Sequence, residues 1–501
     1  MNEFKLNPLL AEDGYKTSHH KMYRPNTTMV YSNFTTRNVK RMPEQAKEIV
    51  VFGIQYTFKY IKDLYDNNFF NQPKNVVCKE AKEFLSKYLG STYDVSHFES
   101  LHDLGYLPIK VKSLEEGTII GQNVPMMTIY NTHPDFYWVP NFLETLISSL
   151  LWKPVHSASM AYAYKKILTK YAMETDKENI FNVNFQGHDF SFRGMQHLES
   201  AISSGLGWVT SFMGTDTIPV LQAAKYYYNT ENVAFSVPAS EHSVASSLCD
   251  FENVYDSKGD VISVKTDELS GIKHLMNVYP TGILSMVSDT YDLWRMCTEY
   301  LPELKNEIMS RNGKLVIRPD SGNPVDIICG NKNDDQSKPS YKGLIELLWE
   351  TFGGTVNSQG YKVLDSHIGA IYGDAITLDR AEQICEKLKE KGFATTNITL
   401  GVGSYSMGLA SRDNQSGAVK CTYIEVGGVG REVFKDPITD TGSKKSAKGL
   451  LQVYKDENGE YKMKDKCTWE EENAGELKVV FENGKIVKET TITEIRQRLN
   501  I

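Results

Sequence analysis

Three short stretches of this chain concentrate the side chains that could do chemistry. They are residues 188–194, 214–217 and 236–243, with the sequences HDFSFRG, GTDT and SVPASEHS. Each combines ionisable or aromatic groups with turn formers, and loops that carry such clusters are where functional sites tend to lie. Folding alone does not require an arginine, carboxylates and two histidines together. These side-chain types favour a polyanionic substrate with an aromatic co-substrate.

Two arginines are candidates for binding phosphate. Arg193 and Arg318 each lie in a turn after an apolar run, and a guanidinium offers forked donors that match phosphate oxygens and keeps its charge. A structural salt bridge is the alternative for either residue alone. Asp320 follows Arg318 across Pro319, so a rigid turn could hold its carboxylate against sugar hydroxyls or a metal ion. An Asx-turn is equally compatible with this spacing.

Three further ionisable residues have both a chemical and a structural interpretation. Asp216 lies just before Thr217-Ile218-Pro219, so it could bind a ligand, or either Asp216 or Thr217 could cap a helix that begins at the proline. His242 could act as a base, a metal ligand or a phosphate acceptor, although an isolated histidine is often a hydrogen-bonded core residue. Asp289, which follows an apolar run, could orient that imidazole.

The basic and glycine-rich stretches give weaker signals. Lys420, Lys444, Lys445 and Lys448 form a basic group whose default interpretation is a solvated loop. The sequence GVGS at 401–404 begins like a dinucleotide-binding fingerprint but lacks the third glycine, so it is very weak evidence for NAD binding. The chain has neither a Walker A lysine motif nor an H-E-x-x-H pair.

The middle of the chain repeats one pattern from about residue 187 to 407. A short apolar run leads to a polar turn with an ionisable residue and then to a helix-like stretch, as at 282–287, 315–317, 368–372 and 398–400. This rhythm predicts a parallel α/β barrel, in which loops at the carboxyl ends of the strands converge on one face. We expect the charged turn residues to gather there.

The two ends of the chain follow a different pattern. Asn458-Gly459 and Asn483-Gly484 each lie between alternating apolar and polar residues, which is typical of hairpins. Residues before about 155 mix aromatic strands with helices. We therefore expect an α/β fold: an irregular (β/α) barrel over 156–407, and a β-rich α+β domain built from 1–155 plus 408–501.

Two local predictions accompany this division. The spacing of Leu293, Met296, Cys297 and Leu301 predicts a helix after the strand at 282–287. The stretch 330–340 is polar and rich in Asn and Asp, which predicts a surface loop.

Length and composition bound the class of protein. A chain of 501 residues is long enough for two domains and favours an enzyme over a small adaptor. Lys and Arg total 55 against 63 Asp and Glu, a formal charge of -8, so the surface as a whole does not favour nucleic acid or an anionic membrane. Any anion site must be local.

The compartment is predicted from the cysteines and from the absence of targeting signals. Seven scattered cysteines form no C-x-x-C pair, which indicates reduced thiols. Glu3, Glu12 and Asp13 lie where a signal peptide would be apolar, and no later run is long enough to span a bilayer. We expect a soluble cytoplasmic protein.

Several motifs in the same order make the chain resemble the nicotinamide phosphoribosyltransferases over nearly its whole length. They are LLAEDGYK at 9–16, GTDT at 214–217, SVPASEHS at 236–243, VSD at 287–289, IRPDSGNP at 317–324, GD at 373–374 and FKDP at 434–437. The resemblance implies a type II phosphoribosyltransferase. Its fold would be an irregular α/β barrel with a β-rich domain assembled from both chain ends, and it would act as a homodimer with sites at the interface.

The resemblance assigns roles to residues by their place in these motifs. Phe190 would stack on one face of a pyridine ring and Tyr15 of the partner subunit on the other, while Asp216 would accept a hydrogen bond from a carboxamide nitrogen. A carboxylate substrate would meet a like charge at Asp216, which favours nicotinamide over nicotinate. Arg193 and Arg318 would bind phosphate groups, and Asp320 would bind ribose hydroxyls. Other ribose and phosphate edges would be contacted by Gly373, Asp374, Ser404 and Arg412. Further phosphate contacts would come from Lys420, Lys444 and Lys448.

The implied reaction belongs to NAD salvage. The pyridine nitrogen would attack C1 of 5-phosphoribosyl 1-diphosphate, giving nicotinamide mononucleotide and pyrophosphate, while arginines and Mg²⁺ stabilise the charge on the leaving group. ATP would transiently phosphorylate His242, with Asp289 orienting the imidazole, so that hydrolysis is coupled to synthesis. The catalytic set is then His242, Asp289 and Asp320.

Departures from the family pattern and two alternatives remain open. Ser191 and Phe192 stand where the vertebrate form has Gly and Tyr, and Ser404 replaces a glycine near the phosphate. The nearest alternative is nicotinate phosphoribosyltransferase, which has the same chemistry and from which Asp216 is the discriminating feature. A non-catalytic binding or signalling protein on the same barrel is the other, although it would not need the complete set of charged residues.

Overall fold

The computed structural model describes residues 4–439 and 446–500 and divides into two compact units. The composite unit comprises Met1–Met160, Gln222–Glu231 and Ala410–Asn500. The barrel unit comprises Ala161–Leu221 and Asn232–Leu409. The composite unit thus takes in Gln222–Glu231, which falls inside the 156–407 domain expected from the sequence. The domain bounds themselves stay a prediction.

The strands vary from two-residue bridges to ten-residue elements. They are β1 Thr27–Thr36, β2 Ile49–Val50, β3 Ile109–Ser113, β4 Ile119–Ile120, β5 Pro125–Asn131, β6 Gly187–Asp189, β7 Gly214–Thr215, β8 Asp250–Tyr255, β9 Val261–Asp267, β10 Thr281–Val287, β11 Asn312–Arg318, β12 Gly354–Val356, β13 Lys362–Leu364, β14 Ile368–Tyr372, β15 Ile398–Val402, β16 Gly417–Val426, β17 Val429–Glu432, β18 Leu450–Lys455, β19 Tyr461–Cys467, β20 Lys478–Glu482 and β21 Lys485–Ile486.

The helices are mostly short, with one long exception, α6. They are α1 His19–Met22, α2 Ile54–Tyr65, α3 Lys74–Leu89, α4 Ser96–Leu104, α5 Val139–Phe142, α6 Glu144–Thr175, α7 Val183–Gln186, α8 Leu198–Trp208, α9 Pro219–Tyr228, α10 His242–Leu248, α11 Leu269–Val278, α12 Leu293–Arg295, α13 Leu301–Glu303, α14 Lys305–Met309, α15 Pro324–Cys329, α16 Pro339–Lys342, α17 Leu344–Phe352, α18 Leu378–Glu390, α19 Ser404–Met407, α20 Trp469–Asn473 and α21 Ile492–Leu499.

A parallel sheet forms the barrel unit. Its strands lie in the order β10-β11-β14-β15-β6-β7, and each neighbouring pair is parallel. Parallel bridges join Gly214 to Phe235 and Ala239 to Ser285, so the segment between them connects the two edge strands. The sheet closes through this irregular segment. The prediction of an irregular (β/α) barrel is confirmed.

An antiparallel sheet forms the core of the composite unit. Its order is β17-β16-β1-β5-β3-β20-β21, so three strands from the N-terminal end are flanked on each side by two strands from the C-terminal end. Asn483 and Gly484 both have positive φ, 49° and 74°, as a two-residue hairpin turn between β20 and β21 requires. Asn458-Gly459 lies in the turn between β18 and β19. The predicted β-rich domain from both chain ends is confirmed as a fold class.

Two local features of the barrel unit differ from the sequence pattern. The helix predicted from Leu293 to Leu301 is broken into α12, a π-helical turn at Met296–Tyr300 and α13. The antiparallel hairpin β8–β9 follows α10 and interrupts the βα rhythm. Apolar side chains of this hairpin, such as Phe251 and Ile262, are exposed. The hairpin therefore lacks the pattern of buried apolar residues by which strands are predicted from a sequence. The predicted surface loop at 330–340 is confirmed up to Pro339, where α16 begins.

Two general features concern membranes and thiols. Within residues 4–439 and 446–500, none of the helices combines the length and apolar character that crossing a membrane requires. All seven cysteines are free, and six of them are buried.

Candidate functional site

A cavity of about 730 Å³, the outer cavity, opens at the carboxyl ends of the barrel strands. Five strands, β6, β7, β11, β14 and β15, end next to it, because each is followed directly by a turn that contributes a lining residue. Parallel strands place these turns at one edge, which is the arrangement that barrel enzymes use. Nine residues singled out from the sequence line this cavity: Phe190, Arg193, Asp216, His242, Arg318, Asp320, Gly373, Asp374 and Ser404.

A second cavity of about 410 Å³, the inner cavity, continues into the barrel. The two cavities share Phe190, Asp216, Ala239 and Arg318 as lining residues. The second cavity has a more apolar lining than the first, with side chains that include Phe235 and Val316, although Lys314 and Arg318 also line it. Phe190 and Asp216 therefore lie where the more polar cavity meets the more apolar one, which suits an aromatic ring that carries a polar substituent.

Asp216 is held as a carboxylate at this junction. His188 Nε2 lies 2.8 Å from its Oδ1, and the Ser236 hydroxyl donates to the same oxygen at 2.6 Å. Burial raises the pKa of Asp216, but the hydrogen bonds from His188 and Ser236 outweigh that effect, and its pKa lies below the ordinary value. Asp216 is therefore ionised at neutral pH. Helix α9 begins at Pro219, as the capping interpretation required, but the Asp216 side chain contacts His188 and Ser236.

A glycine fixes the ring of Phe190 against the barrel wall. The backbone amide of Phe190 donates to Val402 O at 3.0 Å. A Cβ on Gly401 would lie 2.5 Å from Phe190 Cδ2, far inside van der Waals contact. Only glycine leaves space for the ring at that position, so Gly401 sets where Phe190 lies.

The arginines are available to an anion. Arg318 ends β11, and its Nη2 donates to Ser240 O at 2.6 Å, while its buried Nε has no hydrogen-bond partner. Arg193 is exposed in the turn Phe192–Gly194. Within the described part of the chain, neither guanidinium is in an ion pair with a carboxylate. The salt-bridge alternative is therefore not what this structure contains, and both groups retain donors for phosphate oxygens.

His242 lies at the first position of α10 and is 47% exposed in its side chain, so it is not a core histidine. Its Nδ1 lies 3.0 Å from Thr290 Oγ1, and its Nε2 lies 3.2 Å from Asp320 Oδ1. Asp289 Oδ1 is 4.0 Å from the same Nε2, which is beyond hydrogen-bond distance. The orienting role expected of Asp289 stays a prediction, and in this structure Thr290 and Asp320 contact the imidazole directly.

Asp289 instead holds the turn that carries Asp320. Its Oδ2 accepts hydrogen bonds from the backbone amides of Asp320, at 2.9 Å, and Ser321, at 2.8 Å, as well as from the Ser321 hydroxyl. The other oxygen, Oδ1, is buried without a partner. The nearest ligand atoms of His242, Asp289 and Asp320 all lie within 4.8 Å of one another. Two carboxylates beside an open cavity are a donor set that fits Mg²⁺, which prefers oxygen ligands and keeps several waters.

The other sequence candidates belong to the composite unit. Tyr15 is 62% exposed in the turn Gly14–Ser18. Arg412 is exposed and pairs with Asp413 at 3.2 Å. Burial lowers the pKa of Lys420, and Arg412 is among the neighbouring cations that act in the same direction, against Glu144. Lys448 Nζ lies 3.7 Å from the ring centroid of Phe434. Lys444 and Lys445 lie outside the described residues, and the roles of this group stay predictions.

Sequence reasoning assigned no role to four residues that the structure brings to the site, although two of them, His188 and Ser236, lie in the stretches singled out. His188 and Ser236 hold Asp216, Thr290 contacts His242, and Lys314 lines the inner cavity, where burial lowers its pKa. The contacts of the first three join residues that are 20 to 48 positions apart. Lys314, Val316 and Arg318 alternate along β11 and line the same cavity. That alternation was the signal available in the sequence.

Family models match most of the chain. The model of the nicotinamide phosphoribosyltransferase N-terminal domain matches residues 7–111, and the model of the nicotinate phosphoribosyltransferase (NAPRTase) family matches residues 185–485. The second match includes every residue that lines the outer cavity.

Curated relatives align with nearly the whole chain. A nicotinamide phosphoribosyltransferase of Acinetobacter baylyi is 44% identical over 509 residues, covering 99% of this chain and 97% of the relative. One from Xanthomonas campestris pv. campestris is 30% identical, covering 98% and 97%. One from Mycoplasma pneumoniae is 33% identical, covering 90% and 97%.

Solved structures share the fold at low sequence identity. A nicotinate-nucleotide pyrophosphorylase from Pyrococcus furiosus has a TM-score of 0.56 at 15% identity and covers 100% of this chain and 97% of its own. The human nicotinic acid phosphoribosyltransferase has a TM-score of 0.56 at 14% identity and covers 97% and 92%. These similarities support the fold alone.

Proposed function

Because this chain belongs to the nicotinamide phosphoribosyltransferase family, we propose that it transfers the phosphoribosyl group of 5-phosphoribosyl 1-diphosphate to nicotinamide. The products are nicotinamide mononucleotide and pyrophosphate, and the reaction serves NAD salvage. The observation that carries the choice of nicotinamide is the ionised Asp216 beside Phe190, at the junction of the more polar and the more apolar cavity.

The pyridine ring lies against Phe190 in this proposal. Its carboxamide N–H donates to the carboxylate of Asp216, whose pKa is held below the ordinary value. A nicotinate carboxylate at the same place would face a like charge without a proton between them, which is unfavourable in a partly buried site. His188 and Ser236 keep the acceptor charged and in place.

The diphosphate end lies in the outer cavity. Arg193 and Arg318 bind phosphate oxygens, Asp320 binds the ribose hydroxyls, and Gly373, Asp374 and Ser404 line the remaining edges. As the bond from C1 to the diphosphate oxygen breaks, negative charge grows on the leaving group, and guanidinium donors stabilise it. The pyridine nitrogen supplies the electron pair for the new bond to C1. Mg²⁺ supplies further neutralisation of the diphosphate when bound.

His242 provides the coupling to ATP. Its imidazole is exposed in the outer cavity, so one ring nitrogen can take the γ-phosphoryl group of ATP as ADP leaves. Water then hydrolyses the phosphohistidine to inorganic phosphate. The contacts from Thr290 and Asp320 fix the direction of the ring, which a nucleophile needs.

We further propose that the enzyme is a cytoplasmic homodimer. Tyr15 of the partner subunit completes the pyridine site, and Arg412, Lys420, Lys444 and Lys448 bind phosphates. The free cysteines favour a reducing compartment.

Product chromatography tests the proposed function. The purified protein is incubated with 5-phosphoribosyl 1-diphosphate, Mg²⁺ and either nicotinamide or nicotinate, each with and without ATP. We expect nicotinamide mononucleotide, formed faster with ATP. Product from nicotinate alone would support the alternative substrate, and the absence of product from both bases would contradict the proposal.

A further inference from the structure

Asp189 is the last residue of β6, and its carboxylate lies outside both cavities. The preceding residue, His188, lines the inner cavity, whereas the side chain of Asp189 is on the opposite face of the sheet. Asp189 is 1% exposed. A Cβ added to Gly205 of α8 would lie 3.6 Å from Asp189 Oδ2, so the carboxylate is packed between the sheet and this helix.

Four hydrogen bonds satisfy this buried charge. Oδ1 accepts from the Ser191 amide at 2.9 Å and from the Ser191 hydroxyl at 2.6 Å. Oδ2 accepts from Thr215 Oγ1 at 3.0 Å and from Thr217 Oγ1 at 2.7 Å. A buried carboxylate is unfavourable unless its oxygens are paired, and here all the partners are neutral donors from two neighbouring loops.

The two oxygens of Asp189 divide between the loop that carries Phe190 and the loop that carries Asp216. Oδ1 holds Ser191, which follows Phe190, while Oδ2 holds the two threonines on either side of Asp216. The backbone repeats the connection, because Asp216 N donates to Asp189 O at 2.9 Å. Asp189 and Thr215 are also partners in the β6–β7 ladder. One side chain therefore joins the ring-stacking loop to the amide-binding loop.

We propose that Asp189 is a positioning residue that sets the distance between the Phe190 ring and the Asp216 carboxylate, and so the selectivity for nicotinamide. The inference rests on the proposed function and deepens it. Catalytic and binding groups must be held close to their productive geometry by such supporting contacts. Asp189 suits this role because a carboxylate only accepts hydrogen bonds, and can therefore pair with donors from both loops at once.

Paired substitutions of Thr215 test the proposal, since Thr215 is buried and lines neither cavity. Thr215→Val removes the donor to Asp189, together with the acceptor for the Thr217 amide, with little change of shape, and Thr215→Ser retains both. We expect Thr215→Val to raise the KM for nicotinamide about tenfold and to lower the nicotinamide to nicotinate ratio of kcat/KM, because Asp189 loses one partner on the Asp216 side. Thr215→Ser should stay within about twofold of wild type. Ser191→Ala, which keeps its backbone donor, should shift KM in the same direction by less.

Thr210→Val is the matched control. Thr210 is a fully buried threonine of the same unit, its hydroxyl donates to Gly207 O at 2.7 Å, and it lines neither cavity. It should lower Tm without changing the KM for nicotinamide. If Thr215→Val lowers Tm but leaves KM and the selectivity ratio at wild-type values, Asp189 is only structural and the inference is overturned. If the wild-type enzyme itself forms no nicotinamide mononucleotide, the proposed function fails, and the inference fails with it.

Discussion

In the proposed function, substrate choice depends on the charge of one residue, Asp216. Burial alone would favour the protonated acid, which could donate to a carboxylate and so tolerate nicotinate. His188 and Ser236 reverse that preference by bonding to Oδ1. In the proposed function, the site discriminates against nicotinate because these hydrogen bonds keep Asp216 ionised although burial disfavours its charge.

The pH dependence of nicotinamide binding follows from this pKa. A carboxyl whose pKa is depressed in the folded protein stays ionised as pH falls, and its contribution is lost only below its ordinary value of about 4. We therefore expect the KM for nicotinamide to show no rise attributable to Asp216 between pH 8 and pH 5. Initial rates at saturating 5-phosphoribosyl 1-diphosphate would measure it. A KM that rises with a midpoint above pH 5 would contradict an ionised Asp216.

His242 is the residue that tests ATP coupling. His242→Ala should abolish stimulation by ATP while slow, ATP-independent synthesis remains, because the proposed phosphate acceptor is lost and the groups around C1 are kept. His274→Ala, on the exposed face of α11, is the surface control and should behave as wild type. Retained stimulation in His242→Ala would rule out the phosphohistidine.

At the level of elements, the site is a set of turns that follow parallel strands. The sequence predicted this well for β10, β11, β14 and β15, because each strand is apolar and is followed by an ionisable turn. It was therefore possible to expect that Arg318, Asp320 and Asp374 would meet at one face. The hairpin β8–β9 could not be predicted from burial, since its apolar side chains are exposed.

The contacts between turns were beyond the sequence. Whether His188 reaches Asp216 depends on the register in which β6 pairs with β7, where His188 lies opposite Gly214. The expected contact of Asp289 with His242 is 4.0 Å long, because Asp289 is turned toward the amides of the Asp320 turn. Such details depend on rotamers and register, which no residue spacing specifies.

Gly401 lies in β15, and its lack of a side chain leaves space for the ring of Phe190, which follows the neighbouring strand β6. Gly401→Ala places a methyl group 2.5 Å from the Phe190 ring. Overpacking of this kind displaces side chains and typically lowers the free energy of unfolding by about 1–3 kcal/mol. We expect the KM for nicotinamide to rise about tenfold or more, with a smaller effect on the KM for 5-phosphoribosyl 1-diphosphate. Steady-state kinetics would show this. Gly121→Ala, where an added Cβ meets nothing within 4 Å, is the neutral control, and an equal KM in both variants would contradict the role of Gly401.

At the scale of the whole molecule, the residues to which the family resemblance assigns roles are distributed over the two compact units. The barrel unit supplies the cavities, while Tyr15, Arg412, Lys420 and Lys448 belong to the composite unit. The proposed reaction is supported by the family to which the chain belongs. The assignment of Tyr15 to the partner subunit depends in addition on how two subunits assemble. It is a separate proposal with its own test.

Mixed dimers test the shared site. Tyr15→Ala and Asp216→Ala subunits, each inactive alone, are mixed and allowed to exchange. If Tyr15 acts across the interface, one of the two sites in a mixed dimer carries both intact residues, so we expect activity to recover to a fraction of wild type. The assay is nicotinamide mononucleotide formation, with mass spectrometry to verify that mixed dimers are present. Verified mixed dimers without activity would show that the sites are not shared.

The most direct measurement of the central claim compares wild type with Asp216→Asn. The ratio of kcat/KM for nicotinamide to that for nicotinate is determined for both enzymes at pH 7.5 in the presence of Mg²⁺ and ATP. Removing the negative charge that faces the substrate should lower this ratio by about tenfold or more, because the like-charge penalty against nicotinate disappears. An Asp216→Asn enzyme that folds, is active and keeps the wild-type ratio would contradict the account of how this site chooses its substrate.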